Sequence, residues 1–249
     1  MGELTHEELI EWMKVVGNQI LDRINATAAQ DDVVEATRAL MSRIVKSGDT
    51  LGCLYRSAAH DWTWDGVAIL RVIYDAMIQG LFILESDSAR RARRFLDFAV
   101  IERERSVQII DAGETDMARQ LAASPRRAAV AEIHRAEFNR VCNLYGIDPA
   151  RSLPRNWFKQ TEPLKEQAKK IGYESEYNSL YPQLCGSTHS AYFAIRNDDR
   201  CSLSQERIVY YSQLFSFRLL AALAEYVGVA FNNVEAHLVN HARKNVFDR

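Results

Sequence analysis

The sequence predicts an all-α protein with about eight helices, arranged in a single bundle-like domain over residues 1–249. Apolar residues recur at i, i+3 and i+4 in almost every segment, which is the spacing that builds one face of a helix. No stretch shows the sustained alternation of apolar and polar residues that is typical of a half-buried strand. Only 5 prolines and 11 glycines interrupt the chain, so long helices can form.

The first half of the chain predicts four helices. An N-terminal helix over 5–29 has a clear apolar face, and a second helix covers about 32–55. The third, over 64–84, is apolar nearly all round, so we expect it to be a buried central helix. A fourth, more polar helix runs from about 88 to 110.

The second half begins with a helix over 125–145 and a loop that contains two prolines. Thr161 can cap a short helix that ends at Gly172. Pro182 then starts or kinks a helix over 184–193, because proline lacks the backbone N–H that a helix interior requires.

The C-terminal helix is predicted to run unbroken over 204–243. Apolar residues nearly encircle it, so it must bury two faces. It can do so in the core of its own chain or against another chain. With the N-terminal helix, we expect it to pack on a core over about 45–200.

Composition excludes several classes of function. Basic residues number 31 and acidic residues 33, so the net charge is -2 and no overall basic field draws the chain onto nucleic acid or anionic membranes. The four cysteines are too widely spaced for a zinc ribbon and too few for a disulfide scaffold. We therefore expect reduced thiols in a cytoplasmic protein.

Known sequence motifs are mostly missing. The N-terminal residues lack the basic and apolar regions of a signal peptide, so we expect none. No phosphate loop and no Gly-x-Gly-x-x-Gly sequence occurs, and we expect no cofactor. His237 and His241 are four residues apart, but the glutamate of the metalloprotease motif is replaced by Leu238, so we expect no metal site.

Polar residues interrupt the apolar third helix on one stripe. Arg71, Asp75 and Gln79 recur every four residues, with Tyr74 beside them. Charges at the centre of a bilayer are costly, so we expect the stretch 67–84 to be buried in a soluble protein rather than in a membrane. Because a buried charge must be paired, this stripe is either an ion pair that fixes helix register or a polar pocket for ligand binding or chemistry.

A second polar face is predicted over residues 181–189, on the helix that Pro182 starts or kinks. Tyr181, Cys185 and His189 are also spaced by four, so they share one face of a regular helix. Histidine is a natural acid or base near neutral pH, and a cysteine–histidine pair can supply a nucleophile. Side chains four apart on a helix rarely have the geometry for attack, and a hydrogen-bonded core histidine is the favoured interpretation.

The fourth helix carries a basic cluster near its start, formed by Arg90, Arg91, Arg93 and Arg94. Such a cluster can contact phosphate or RNA. Asp97 lies four residues after Arg93, and further acidic residues follow, so a solvated charged helix is the favoured interpretation. Arg94 and Glu102 are nevertheless candidates for the polar pocket.

Two blocks of the sequence resemble the bacterial family called domain of unknown function 5677. Residues 69–75, Ile-Leu-Arg-Val-Ile-Tyr-Asp, resemble an apolar helix that bears Arg-x-x-Tyr-Glu. The segment that begins with Arg155-Asn-Trp157 resembles a Trp…Tyr-x-x-x-Ser-x-x-x-His block, and it continues through Tyr177, Tyr181, Cys185 and His189. Asp75 replaces the usual glutamate, and Cys185 stands where serine is common.

The resemblance covers about residues 45–200 and implies an all-helical cytoplasmic bacterial protein without an established activity. It further implies that Arg71, Asp75, Tyr181 and His189 meet in one place. On this basis we expect a module that binds a small ligand or a protein partner in a buried polar pocket. The remaining pocket candidates are Tyr74, Gln79, Arg94, Glu102, Trp157 and Cys185.

Two alternatives remain open, and with them the question of whether the protein is an enzyme. The first is a metal-independent RNA-cleaving toxin or defence effector similar to helical nucleases of the HEPN type. There His189 would be the acid or base, Arg71 would stabilise phosphate charge and Asp75 would orient one of these groups. The Arg-x4-6-His motif of those nucleases is poorly met by Arg127 and His134. The second alternative is a structural homo-oligomer that associates through the C-terminal helix.

Overall fold

The computed structural model describes residues 6–27, 31–57, 62–112, 125–149, 153–154, 163–188 and 203–243. Within these ranges the chain forms nine helices and no strand, which confirms the all-α prediction. In chain order the helices are α1 (His6–Thr27), α2 (Asp32–Ser57), α3 (Thr63–Glu85), α4 (Ser88–Ala112), α5 (Pro125–Tyr145), α6 (Leu164–Lys170), α7 (Glu174–Thr188), α8 (Gln205–Tyr226) and α9 (Asn233–Arg243).

The chain divides into two compact units. The first consists of residues 1–89 and 163–249 and contains α1, α2, α3, α6, α7, α8 and α9. The second consists of residues 90–162 and contains α5 and nearly all of α4. Its core is a small apolar cluster that includes Ile101, Phe138 and Val141.

Helix α3 is the centre of the first unit, as its composition predicted. It packs against α2, α6, α7 and α8, and Leu70, Ile73 and Met77 are fully buried. Gly80 allows α8 to approach closely, because a Cβ atom at this position would overlap the Leu219 side chain. The surrounding helices explain why α3 is apolar nearly all round.

Length and apolarity alone would also allow α3 to cross a membrane, and among the described residues it is the one helix that meets both conditions. The core helix of a globular unit meets the same conditions. Four other helices pack against α3, as is typical of a core helix. The cellular location therefore stays a prediction.

Helix α8 covers its apolar faces within its own unit. It packs against α1, α2, α3 and α9. Its buried residues include Leu214, Phe215, Phe217, Leu219, Leu220 and Leu223. Of the two ways to bury this helix, the fold uses the core of its own chain.

The single helix predicted over 204–243 is wrong, because the chain breaks between α8 and α9. Gly228 adopts a left-handed conformation with φ of 78°. The Val229 N–H donates to the Ala224 carbonyl at 2.8 Å and the Gly228 N–H donates to the Glu225 carbonyl at 3.1 Å. These two bonds form a Schellman motif, which satisfies the last carbonyls of α8 and turns the chain away.

A capping box then starts α9. The Asn232 side-chain oxygen accepts from the N–H groups of Val234 at 3.0 Å and Glu235 at 2.9 Å. The Glu235 carboxylate accepts in return from the Asn232 N–H at 2.9 Å. Glu235 is also tied to α1, because Arg23 donates to it at 2.6 Å.

The short helices before α8 also differ in their limits from the prediction. Helix α6 begins after Pro163, and the proposed cap Thr161 lies outside the described residues. Helix α7 begins at Glu174, so of the two predicted positions for Pro182 the structure has the one inside the helix and not the one at its start. Next to this proline, the Gln183 side chain donates to the Ser179 carbonyl at 3.0 Å.

Candidate functional site

Packing of α7 on α3 brings together the two polar faces that the sequence predicted. The Arg71 Nη2 atom lies 3.5 Å from the Tyr181 hydroxyl. The same guanidinium lies 5.5 Å from the centroid of the Tyr181 ring. Both contacts are within the range of a long hydrogen bond and a cation–π interaction. Arg71, Asp75 and Tyr181 therefore share one site, although Tyr181 is 110 positions from Arg71 in the chain.

The Arg71–Asp75 pair is loose and solvent reaches it. The Arg71 Nε and Asp75 Oδ2 atoms are 3.9 Å apart, and the two side chains are 20% and 26% exposed. The other carboxylate oxygen, Asp75 Oδ1, is buried and has no hydrogen-bond partner among the described residues. Gln79 does not serve it, because the Gln79 amide donates to the Asp75 backbone carbonyl at 3.1 Å.

Burial changes the chemistry of the Asp75 carboxyl group. Loss of hydration raises its pKa to about 6, and the positive charges of Arg71 and Arg43 counteract this only in part. Arg43, on α2, was not predicted as a site residue. The carboxyl group thus changes charge close to neutral pH.

Three tyrosines form the apolar wall of the site. Tyr177 stacks on Tyr181 with the ring centroids 4.4 Å apart, and the Tyr74 ring lies 6.2 Å from Tyr181. Tyr74 is fully buried, and its hydroxyl has no hydrogen-bond partner among the described residues. Burial raises the pKa of Tyr74 and Tyr181, so both hydroxyls stay protonated near neutral pH and can donate hydrogen bonds.

Cys185 lies on the same face of α7, one turn after Tyr181. It is half-buried and is not part of a disulfide. Electrostatic interactions link it to Arg71 and Tyr181, and its role in the pocket stays a prediction.

Four further predicted site residues are not part of this geometry. His189 and Trp157 lie outside the described residues. Arg94 and Glu102 are on α4 in the second unit, where the Arg94 guanidinium lies 5.4 Å from the centroid of the Tyr145 ring. The pocket roles of all four stay predictions.

Sequence reasoning missed a second buried ion pair in the first unit. The Arg218 Nη1 atom donates to both oxygens of the Glu176 carboxylate, at 2.8 and 2.7 Å. The two side chains are 1% and 0% exposed. The Arg218 Nε atom donates to the Ala242 carbonyl, and Tyr173 lies under the guanidinium at 4.8 Å. A lone arginine in the apolar run of α8 was the available signal.

The two ion pairs of the first unit differ in kind. The Arg218 and Glu176 side chains are buried and hydrogen-bonded to each other and to the Ala242 carbonyl. They join α7, α8 and α9, which is typical of an ion pair with a structural role. Arg71 and Asp75 are 3.9 Å apart and partly exposed, and within the described part of the chain one Asp75 carboxylate oxygen has no hydrogen-bond partner. The second arrangement can accept a hydrogen bond from a bound molecule.

The basic cluster of α4 takes part in a structural network. The predicted pair of Arg93 with Asp97 is present at 3.4 Å, and Asp97 is only 3% exposed. Asp97 also accepts from Arg140 at 2.5 Å and from the Tyr145 hydroxyl at 2.8 Å. This network joins α4 to α5, so at least part of the cluster holds the second unit together.

The other histidines give little support for chemistry in the described part of the chain. His134 is buried and its Nε2 atom lies 2.9 Å from the Glu104 carboxylate. His241 lies 2.9 Å from the Tyr210 hydroxyl, and His237 is exposed. The described ranges contain no group of three or more histidine, cysteine or acidic side chains that could hold a metal ion.

The fold and site define an all-helical protein whose central helix carries a loosely paired, partly exposed arginine–aspartate cluster. A family model described as "Family of unknown function (DUF5677)" matches residues 34–206. This match covers more than half of the chain, and the protein belongs to that family. It confirms the resemblance seen in residues 69–75 and in the block that follows Trp157. Comparisons with curated proteins and with solved structures give no match.

Proposed function

We propose that this protein binds a small ligand at the site formed by Arg71, Asp75, Tyr74 and Tyr181. One observation carries the proposal: Asp75 Oδ1 is a buried carboxylate oxygen without a hydrogen-bond partner among the described residues. An unsatisfied buried acceptor costs about 1–3 kcal/mol, and more when it is charged. A ligand that donates to this oxygen recovers that free energy, so the site is suited to binding.

The tyrosines support the same proposal. Tyr74, one position before Asp75 on α3, has a buried hydroxyl without a hydrogen-bond partner among the described residues. Tyr181 and Arg71 add donors at the partly exposed side. A ligand site is commonly an apolar wall with a few convergent polar groups, and this arrangement matches that description. We further propose a role for His189 in binding this ligand.

Equilibrium dialysis tests the proposal. The full chain would be dialysed against a mixture of amino acids, organic acids, nucleotides, sugars and polyamines, with mass spectrometry to measure which compounds concentrate on the protein side. Wild type and Asp75→Asn would be compared, with Asp65→Asn as a matched control, because Asp65 is an exposed aspartate on the same helix. We expect one compound to be retained by wild type and by the control but not by Asp75→Asn.

The proposal fails if wild type retains no compound, or if Asp75→Asn retains the same compound equally well. Circular dichroism and thermal melting of each variant would show that the fold is intact. A parallel incubation with a mixed RNA pool in EDTA tests the nuclease alternative. Cleavage by wild type that disappears in His189→Ala would give that alternative first place.

A further inference from the structure

The charges of the site restrict the kind of ligand that it can take. Arg71 and Asp75 are neighbours on one face of α3, with 3.9 Å between Nε and Oδ2. Arg43 on α2 adds a second positive charge that acts on Asp75. The site therefore offers a cationic side and an anionic side that adjoin each other.

A ligand with one charge meets repulsion on one of these sides. An anion would be attracted by Arg71 and Arg43 but would also face the Asp75 carboxylate. A cation would be attracted by Asp75 but would face the Arg71 guanidinium group. A molecule that carries both charges close together is complementary to the whole arrangement, because each of its charges meets the opposite one.

Hydrogen bonding points to the same kind of molecule. Asp75 Oδ1 has no hydrogen-bond partner among the described residues, and it can only accept while the carboxyl group is ionised, so a ligand must bring it a donor such as an ammonium group. A guanidinium group only donates, and its best partner is a carboxylate or phosphate. The ligand thus needs a donating nitrogen beside an anionic oxygen group.

The aromatic rings favour a small zwitterion over a stacked nucleotide base. Tyr177 already stacks on the Tyr181 ring at 4.4 Å, and the Arg71 guanidinium lies 5.5 Å from the centroid of that ring. The Tyr74 ring is fully buried against Phe215 and Tyr181. A ligand therefore meets the charged groups of Arg71 and Asp75 rather than an open face of a tyrosine ring.

We propose that the ligand is a free α-amino acid, with its ammonium group on Asp75 and its carboxylate on Arg71. The proposal rests on the ligand-binding function proposed above. An α-amino acid carries both groups on one carbon atom, which suits two side chains that adjoin on the same helix face.

The test uses the twenty common L-amino acids, each titrated into the full chain by isothermal calorimetry. The amino acid that binds best would then be compared with two matched analogues, the amine that lacks its carboxylate and the acid that lacks its amino group. We expect each analogue to bind at least about tenfold more weakly. An analogue that binds as tightly as the amino acid would overturn the inference.

Two variants assign the two ends of the ligand. Asp75→Asn should bind the amino acid and its deaminated acid with similar affinity, because the ammonium group has lost its charged partner. Arg71→Gln should likewise lose the preference for the amino acid over the amine. Unchanged preferences in both folded variants would refute the assignment.

The outcomes separate this inference from the proposed function. If no amino acid binds while dialysis shows another compound held through Asp75, the ligand class is wrong and the binding function stands. If neither experiment finds a ligand, both are refuted.

Discussion

Replacing Asp75 with asparagine tests whether this carboxyl group is as poorly solvated as its surroundings imply. Its folded-state pKa is about 6, against an ordinary value of 3.8, because burial disfavours the charged form. The folded protein therefore holds the Asp75 proton more tightly than the unfolded chain does. The resulting stabilisation is fully present below about pH 4 and is lost as the pH rises through about 6. Asparagine cannot ionise, so the variant lacks this loss.

The magnitude follows from the pKa values. A difference of about 2 between the folded and unfolded pKa corresponds to about 3 kcal/mol. Because the side chain is 26% exposed, we take this figure as an upper limit. The free energy of unfolding of Asp75→Asn, relative to wild type, should thus rise by up to about 3 kcal/mol between about pH 4 and about pH 7.

Urea denaturation followed by circular dichroism gives the required free energies at a series of pH values. The comparison uses the difference between the two proteins, so the titration of all other carboxyl groups cancels. Asp65→Asn, on the exposed side of the same helix, controls for the removal of one negative charge from α3. A difference between Asp75→Asn and wild type that does not change with pH would refute the reasoning.

Three further predictions test the packing argument. Tyr74→Phe removes a buried hydroxyl that has no hydrogen-bond partner among the described residues. In urea denaturation its stability should be unchanged or higher by up to about 1 kcal/mol, while ligand binding falls. A clear loss of stability would show that the hydroxyl is hydrogen-bonded. Arg218→Met leaves Glu176 charged and buried, so it should lower the free energy of unfolding by about 3–5 kcal/mol. Adding Glu176→Leu should restore most of this loss. An Arg218→Met variant as stable as wild type would contradict the pairing. Gly228→Ala should lower stability by about 1–2 kcal/mol, because φ at this position is positive. Gly48→Ala, inside α2 with open space around its Cβ position, should instead raise stability by about 0.5–1 kcal/mol. Equal effects of the two substitutions in thermal melting would argue against the left-handed turn at Gly228.

The helices were largely predictable because their apolar periodicity is strong, but one break was missed. The apolar pattern continues across Gly228, and that continuity favoured a single long helix. The local signals for a break were in the sequence: a glycine suited to a left-handed turn, then Asn232 and Glu235 at the spacing of a capping box. Here backbone hydrogen bonding outweighed hydrophobic periodicity.

The site was predictable only where its residues are close in sequence. Arg71 and Asp75 are one helical turn apart, so their proximity follows from helix geometry. The contact of Arg71 with Tyr181 depends on how α7 packs on α3, and the expectation for it came from the family resemblance. Arg218 and Glu176 were missed for the same reason, since they are 42 positions apart and only tertiary packing joins them.

A comparison of the two ion pairs links the stability cost of Asp75 to ligand binding. Arg218 and Glu176 show that this fold can bury a salt bridge with its hydrogen bonds satisfied, so the loose pair at Arg71 is not forced by helix packing alone. If Asp75 accepts the ammonium group of a ligand, it must be ionised to do so, and binding of that ligand should weaken as the pH falls below about 6. Stability changes in the opposite direction over the same range. A deaminated analogue should instead bind more tightly at low pH, because protonation removes the repelling carboxylate. Opposite pH trends for the two compounds would tie the stability cost of Asp75 directly to its role in binding.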